Sequence, residues 1–575
     1  MKTEVVHPLL VQLYGEEAGT ALLGDFAALV DRYADRLPPP GAARLDESDA
    51  VLITYADQVQ AAGTPPLRAL ADFCNAHCAG LLSTIHILPF YPWSSDDGFS
   101  VIDYCQVDRR YGDWEDVKSL SNRFRLMYDA VINHVSVKSS WFEGMLRGDE
   151  RYREYFVTPP ADADLTKVVR PRALPLLTAF QTVDGETNIW TTFSADQADL
   201  NYRNPAVLLE IVDLLLYYVS QGAQLIRLDA IAYLWKEPGT TSIHLPQTHW
   251  IIQLFRAVLD EAAPHVMLIT ETNVPHAENV SYFGDGGNEA QMVYNFSLPP
   301  LVLHAFQSGS AETLTRWATG LESPGERATF FNFLASHDGI GLNPARGILS
   351  EAEIEKVVRA IQERGGSVSF KSTSAGETPY ELNVNYFDAL NDPRSNESDQ
   401  IRIDRFIAAH AILLSLRGVP AIYFHSLFGS RGWPAGAAET GRARTINRQK
   451  LQRATLEQEL ADPTSLRARI FGRLARLLRA RAAHAAFDPY GRQQVIDAGP
   501  GVFGLLRGLD DGGAVICLHN VSNEIRGAKL DVQAIPALRD FEHGLVDLIS
   551  GGGVVIAREG LVELQPYQSL WLVKP

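Results

Sequence analysis

The sequence predicts an α/β protein: a (β/α)8 TIM barrel with subdomains inserted in its loops and an all-β domain at the C-terminus. Three observations lead there. Eight short apolar, β-branched runs alternate with helical patterns from Val51 onward. Two of the intervals between runs are far longer than the rest. The texture then changes to short strands and glycines after about Gln493.

The first 48 residues read as a helical extension (VQLYGEEAG, FAALVDRYADRL) ended by the PPPG at Pro38–Gly41. The eight runs are VLITY (51–55), LLSTIHILPF (81–90), RLMYDAVINHV (125–135), AQLIRLDAIAY (223–233), VMLITETN (266–273), AQMVYNFS (290–297), TFFNFLASHD (329–338) and VPAIYFHSLFG (419–429). Continuously apolar strands joined by helices belong to a parallel sheet covered on both faces, and eight of them close a barrel. The barrel takes 49–137, 202–340 and 392–487. Subdomains are expected at 138–201, after the third strand, and at 341–391, after the seventh. Long excursions of this kind sit in βα loops over the barrel mouth. A basic amphipathic helix (466–487) should pack on the barrel with its arginines solvated. Residues 488–575 read as a β-sandwich.

The chain has 575 residues and a formal net charge of −18, a field that disfavours nucleic acid and acidic membranes as partners. Small molecules are the expected partners, and the protein is expected as a monomer or homodimer. Cys74 and Cys78 lie four apart with no second pair, so they read as buried thiols rather than zinc ligands. With few cysteines and no apolar run of about 18 residues, no signal peptide is expected and the expected location is the cytoplasm. No metal and no cofactor are expected.

Polar residues at the C-terminal ends of barrel strands point into the mouth. The third run ends Asp129-Ala-Val-Ile-Asn133-His134, and the fourth carries Arg227-Leu-Asp229. The fifth ends Glu271-Thr-Asn273 and the seventh His337-Asp338. Retaining glycoside chemistry needs one carboxylate to attack the anomeric carbon and another to protonate the leaving oxygen. Asp229, on the same strand face as Arg227, suits the nucleophile because a guanidinium keeps a carboxylate ionised. Glu271 follows an apolar strand with no cation nearby in sequence, which suits a raised pKa and the acid/base role. Asp338 beside His337 is placed to bind sugar hydroxyls.

DAVINH, IRLDA, ETN and ASHD, in this order and on these strands, resemble the four conserved regions of the α-amylase family, glycoside hydrolase family 13. The resemblance spans about residues 50 to 490 and implies the same nucleophile and acid/base, with Asp338 as transition-state stabiliser and with Arg227, His134 and His337 as substrate contacts. LITYAD (52–57), SSDDGFSVIDY (94–104), VRPR (169–172), HDGIG (337–341), YELNVNYFDAL (380–390) and TINR (445–448) resemble the sucrose phosphorylase group (subfamily 18). That resemblance implies that Asp96 and Arg448 grip the glucosyl unit. It also implies that Phe193 packs on the sugar, Tyr233 borders the acceptor, and Arg172 binds phosphate, the co-substrate. Asn273 departs from the group, which usually carries His there. The ETN, SSDDGFSVIDY and ERGG wording is similar to the glucosylglycerate phosphorylase branch. This implies a retaining α-glucoside phosphorylase with glycerate as leaving group, the alternatives being a sucrose phosphorylase or a family 13 α-glucosidase or transglucosidase. Arg364 and Lys371 are the candidates for pairing with the acceptor carboxylate.

Overall fold

The structure is a computed structural model that describes residues 3–575 except 40, 42–43, 173, 323, 374–375, 509–512, 532–543 and 557–559. Its centre is a closed barrel of eight strands, here β1 (Val51–Thr54), β2 (Thr84–Ile87), β3 (Arg125–Ala130), β4 (Ala223–Leu228), β5 (Met267–Thr270), β6 (Met292–Tyr294), β7 (Thr329–Phe333) and β8 (Val419–Tyr423). Each strand pairs in parallel with its sequence neighbours, and β8 closes on β1 through Val51 opposite Ala421. All eight predicted runs therefore contain a barrel strand. The strands are buried almost throughout because helices cover the outer face and side chains fill the inside.

Local signals set the helices. Asn204 caps Pro205–Ser220 by accepting from Ala206, with Pro205 at the first helical position. Ser350 and Glu353 form a capping box on Glu351–Glu363. The two N-terminal helices, Thr3–Tyr14 and Glu16–Tyr33, lie antiparallel and dock on Pro205–Ser220 and Pro246–Ala262. The Tyr33 hydroxyl donates to Asp213 at 2.6 Å. Leu466–Ala482 buries Ile470, Leu474, Leu477 and Leu478, as its periodicity requires. One arginine of this helix departs from the expected solvated face. Arg481 is buried and donates to the Asp49 carbonyl at 3.1 Å, because the chain entering β1 runs directly beneath it.

Two long loops rise over the mouth. After β3 come a short strand His134–Ser136, the helix Ser140–Leu146 and the hairpin Leu177–Thr182/Gly185–Trp190. The short strand pairs back with Gln197–Asp199. After β7, Ile340–Gly341 joins the hairpin Ser367–Thr373/Gly376–Asn383 in a three-stranded sheet. At the C-terminus a six-stranded sheet carries alternate residues to opposite faces. Phe503, Cys517 and Trp571 join the main core, whereas Val502, Ile516 and Leu572 pack under the ribbon Arg526–Lys529/Leu561–Leu564.

Candidate active site

Arg227 is the centre of charge at the barrel mouth. It points inward from β4 and is almost fully buried between the rings of Phe99 and Tyr294, 5.6 and 5.4 Å from its guanidinium carbon. One terminal nitrogen donates both to Asp129 and to Asp229, the latter at 2.8 Å, and the other lies 3.9 Å from Glu271. Asp129, on β3, also bonds His86 at 2.7 Å. Burial works against its charge, but Arg227 and His86 outweigh burial and hold it below the usual carboxylate range. Burial likewise keeps His86 neutral.

Asp229 and Glu271 leave adjacent strands, β4 and β5, at the same end. Ala230, immediately after Asp229, takes a left-handed backbone (φ 48°) and aims its N–H at Glu271 Oε2, 3.1 Å away. Such a conformation is costly for a residue with a side chain and is held by its surroundings. Burial raises both carboxyls, and their mutual repulsion adds to the rise at Asp229 while Arg227 opposes it at both. The two titrate as a unit that retains a proton above the ordinary range. Arg227 bonds Asp229 at 2.8 Å but stands 3.9 Å from Glu271, so the charge sits better on Asp229 and the proton on Glu271. An ionised carboxylate beside a protonated one is what double displacement at a sugar carbon requires.

Asp338 follows β7 and faces the same space. Arg444 contacts it at 2.6 Å and Arg448 at 3.5 Å. Burial opposes its charge, yet Arg444 above all, with Arg448 and Arg227, keeps its carboxyl well below the usual range. His337 stacks on Phe99 with ring centroids 4.9 Å apart. Burial pushes its pKa down to about 3, so it is neutral.

Asp229, Glu271 and Asp338, with Phe99, His337 and Arg444, line a cavity of about 800 Å³, counted with its open mouth. Asp96, His134, Arg172, Phe193, Tyr233, Asn273, His337 and the three carboxylates all face it. Asp96 and Asp97 both have positive φ (54° and 52°) in a tight turn that Gly98 completes, since a Cβ at Gly98 would lie 2.6 Å from the Pro89 carbonyl. Arg172 donates to Asp96 at 2.9 Å. Burial raises the Asp96 pKa, but Arg172 and Arg444 outweigh it and bring it down to about 2. His134 Nε2 donates to the Phe99 carbonyl at 2.8 Å, and its ring is kept neutral by burial. Phe193 meets Tyr233 edge-to-face at 5.5 Å. A second, outer cavity shares Asp96, Arg172, Tyr380 and Arg444 with the first and adds Arg442 and Arg448.

Arg448 pairs with Asp97 and faces the outer cavity, which Asp96 also lines. The geometry departs from the sequence expectations at two other residues. Arg364 and Lys371 face neither cavity. Arg364 ends the helix Glu351–Glu363 and donates to the Ala389 carbonyl, and Lys371 donates to Asn343 at 2.8 Å. Both are occupied within the loop after β7, so the arrangement does not bring them to the acceptor side. Residues that sequence reasoning did not single out face the cavities instead: Phe99, Gln197, Tyr380 and Arg444. Phe99 lies inside SSDDGFSVIDY and Arg444 directly precedes TINR. Their motifs were visible, but nothing local marked these positions within them.

Asn273 packs against the backbone of Gly341, where an added Cβ would lie 2.7 Å from its side-chain oxygen. Gly341→Ala therefore pushes the Asn273 amide into the cavity. A substrate KM raised by about tenfold, with a stability loss of about 1–3 kcal/mol from the overpacked contact, is expected from steady-state kinetics and a melting curve. A KM equal to that of the unaltered protein would place Asn273 away from bound substrate.

Among the described residues, no group of three or more His, Cys, Asp or Glu is arranged to hold a metal ion. The barrel and its cluster of acids at the strand ends define a carbohydrate-active (β/α)8 enzyme. Residues 81–340 match the catalytic domain of alpha amylase. A glucosylglycerate phosphorylase from Spirochaeta thermophila is 48% identical over 98% of this chain and 97% of its own length. A sucrose phosphorylase from Agrobacterium vitis is 30% identical over 76% of this chain and 88% of its own. The solved structure of sucrose 6F-phosphate phosphorylase from Thermoanaerobacter thermosaccharolyticum superposes with a TM-score of 0.72 at 23% identity, over 91% of this chain and 99% of that one. The chain belongs to the α-amylase family, in its glucosylglycerate phosphorylase branch.

Proposed function

We propose that the protein is a retaining phosphorylase that transfers glucosyl from 2-O-α-glucosylglycerate to phosphate, releasing α-glucose 1-phosphate and glycerate. The observation that carries this reading is the join between two spaces. The inner cavity holds the three carboxylates, and it opens onto an outer one faced by Arg172, Arg442, Arg444 and Arg448. A hydrolase needs only water there. A phosphorylase that releases a carboxylate product must handle two anions, and guanidinium groups suit both.

In the first step the Asp229 carboxylate attacks the anomeric carbon while Glu271 gives its proton to the glycosidic oxygen. Glycerate leaves, and a β-glucosyl ester remains on Asp229. Hydrogen phosphate then enters, gives its proton to the Glu271 carboxylate and attacks the same carbon from the opposite face. Two inversions restore the α configuration. Asp338, held ionised by Arg444, accepts hydrogen bonds from sugar hydroxyls as positive charge builds on the ring. His134, Phe193 and Tyr233 shape the wall, and Asp96 binds a further hydroxyl.

The test is to incubate the enzyme with glucosylglycerate or sucrose, with and without phosphate, and to measure glucose 1-phosphate. Its release from glucosylglycerate only when phosphate is present is the expected result. Free glucose at the same rate without phosphate would make the protein a hydrolase, and preference for sucrose would change the leaving group. Arg172→Ala is expected to raise the KM for phosphate by about 10- to 100-fold, the worth of one charge-assisted hydrogen bond. Hydrolysis of the glucosyl-enzyme should suffer less, and equal loss of both activities would remove Arg172 from the phosphate site.

The reading includes a cytosolic location. Cys74, Cys78 and Cys517 are buried, unpaired thiols, the state a reducing compartment maintains. No helix of the described residues is long and apolar enough to cross a membrane.

A further inference from the structure

Among the described residues, each arginine facing the outer cavity already has a carboxylate partner. Arg172 pairs with Asp96 at 2.9 Å, Arg442 with Asp97 at 3.3 Å, and Arg448 with Asp97. Arg444 is the most heavily compensated. Asp338 takes one terminal nitrogen at 2.6 Å, and Glu381 takes the Nε at 2.9 Å and the other terminal nitrogen at 2.6 Å. An entering anion therefore meets guanidinium groups whose charge is offset from within.

The partners differ in what else they face. Asp96 and Asp338 also face the inner cavity, so they have a reason to be acidic that concerns the sugar. Glu381 faces only the outer cavity. Its side chain is 3% exposed, and both its oxygens are given to Arg444. Asp196 also faces the outer cavity, but hydroxyls hold it, among them Ser94 at 2.6 Å and Ser100 at 2.8 Å, not an arginine.

We propose that Glu381 sets the anion affinity of the outer cavity: by offsetting Arg444 it limits how tightly phosphate enters and how slowly an anionic product leaves. The proposal rests on the phosphorylase reading. Its physical basis is a single buried negative charge one residue away from the place an anion must occupy, where the local dielectric is low and Coulomb terms are large. A turnover cycle that binds two anions and releases two others is slowed by over-tight binding as surely as by weak binding.

The test is Glu381→Gln, which keeps the shape and one acceptor oxygen for Arg444 but removes the charge. The KM for phosphate is expected to fall by about three- to tenfold, and inhibition by sulfate to strengthen by a similar factor. Both effects should shrink as ionic strength rises. Hydrolysis of α-glucosyl fluoride, whose acceptor is neutral water, should change less than phosphorolysis. Glu381→Asp retains the charge and is expected to keep a phosphate KM nearer to that of the unaltered enzyme. Thermal unfolding of each variant reports whether the fold is kept. A folded Glu381→Gln enzyme with an unchanged or raised phosphate KM overturns the proposal, and so does a variant that no longer folds, which would assign Glu381 to the scaffold. Absence of phosphate-dependent glucose 1-phosphate from the unaltered enzyme would instead overturn the phosphorylase reading itself.

Discussion

Asp229→Asn is expected to lower kcat by at least about 10⁴-fold while the protein remains folded. The amide has the size and shape of the carboxyl, so packing at the end of β4 is kept. It cannot form the glucosyl ester, because a neutral amide oxygen is a poor nucleophile. The bond from Arg227 at 2.8 Å can persist to the amide oxygen, and Arg227 retains Asp129 as its counter-charge. Steady-state phosphorolysis together with a melting curve separates the two effects. A rate within tenfold of the unaltered enzyme would remove Asp229 as nucleophile.

Arg227→Leu is expected to cost about 3–5 kcal/mol of stability, the usual penalty for removing one partner of a buried ion pair. Arg227 is 2% exposed, and its loss leaves Asp129 with His86 alone in the barrel interior. Asp229 and Glu271, already raised by burial, lose the cation that opposes that rise. The pH dependence has a definite sign. Carboxyls whose folded-state pKa is raised favour the folded state at low pH, and that contribution is lost as pH rises through the raised values. The deficit of Arg227→Leu against the unaltered protein should therefore shrink on acidification from neutral pH. Denaturant unfolding at several pH values measures it. Adding Asp129→Asn to Arg227→Leu should restore part of the loss, because the stranded charge is then removed. A deficit that stays constant with pH would mean that lost packing between Phe99 and Tyr294, rather than charge, dominates.

The barrel was legible because its signal is local. Each strand is a short apolar run, and the residue that ends it is read directly off the chain. Asp229 after β4, Glu271 after β5 and Asp338 beyond β7 need no tertiary information to be placed at the mouth. The proximity of Arg227 to Asp229 also follows from strand alternation. What failed were side chains in the loop after β7. Arg364 and Lys371 are basic and near the right motif, but their bonds to Ala389 and Asn343 turn them inward within that loop. Sequence carries no record of where a long loop folds back on itself.

The sequence by itself therefore determined the barrel, the order of its strands and which acids stand at their ends, since these depend on period and strand length. Only the tertiary structure decided which cation neutralises which acid. Arg444, Asp338 and Glu381 come from three separate segments and meet at 2.6 Å only after the barrel has closed and the hairpin Ser367–Thr373/Gly376–Asn383 has settled over its mouth. An ion pair of this kind requires its charged atoms within about 4 Å, so the electrostatics of the site are settled by contacts that chain position does not encode.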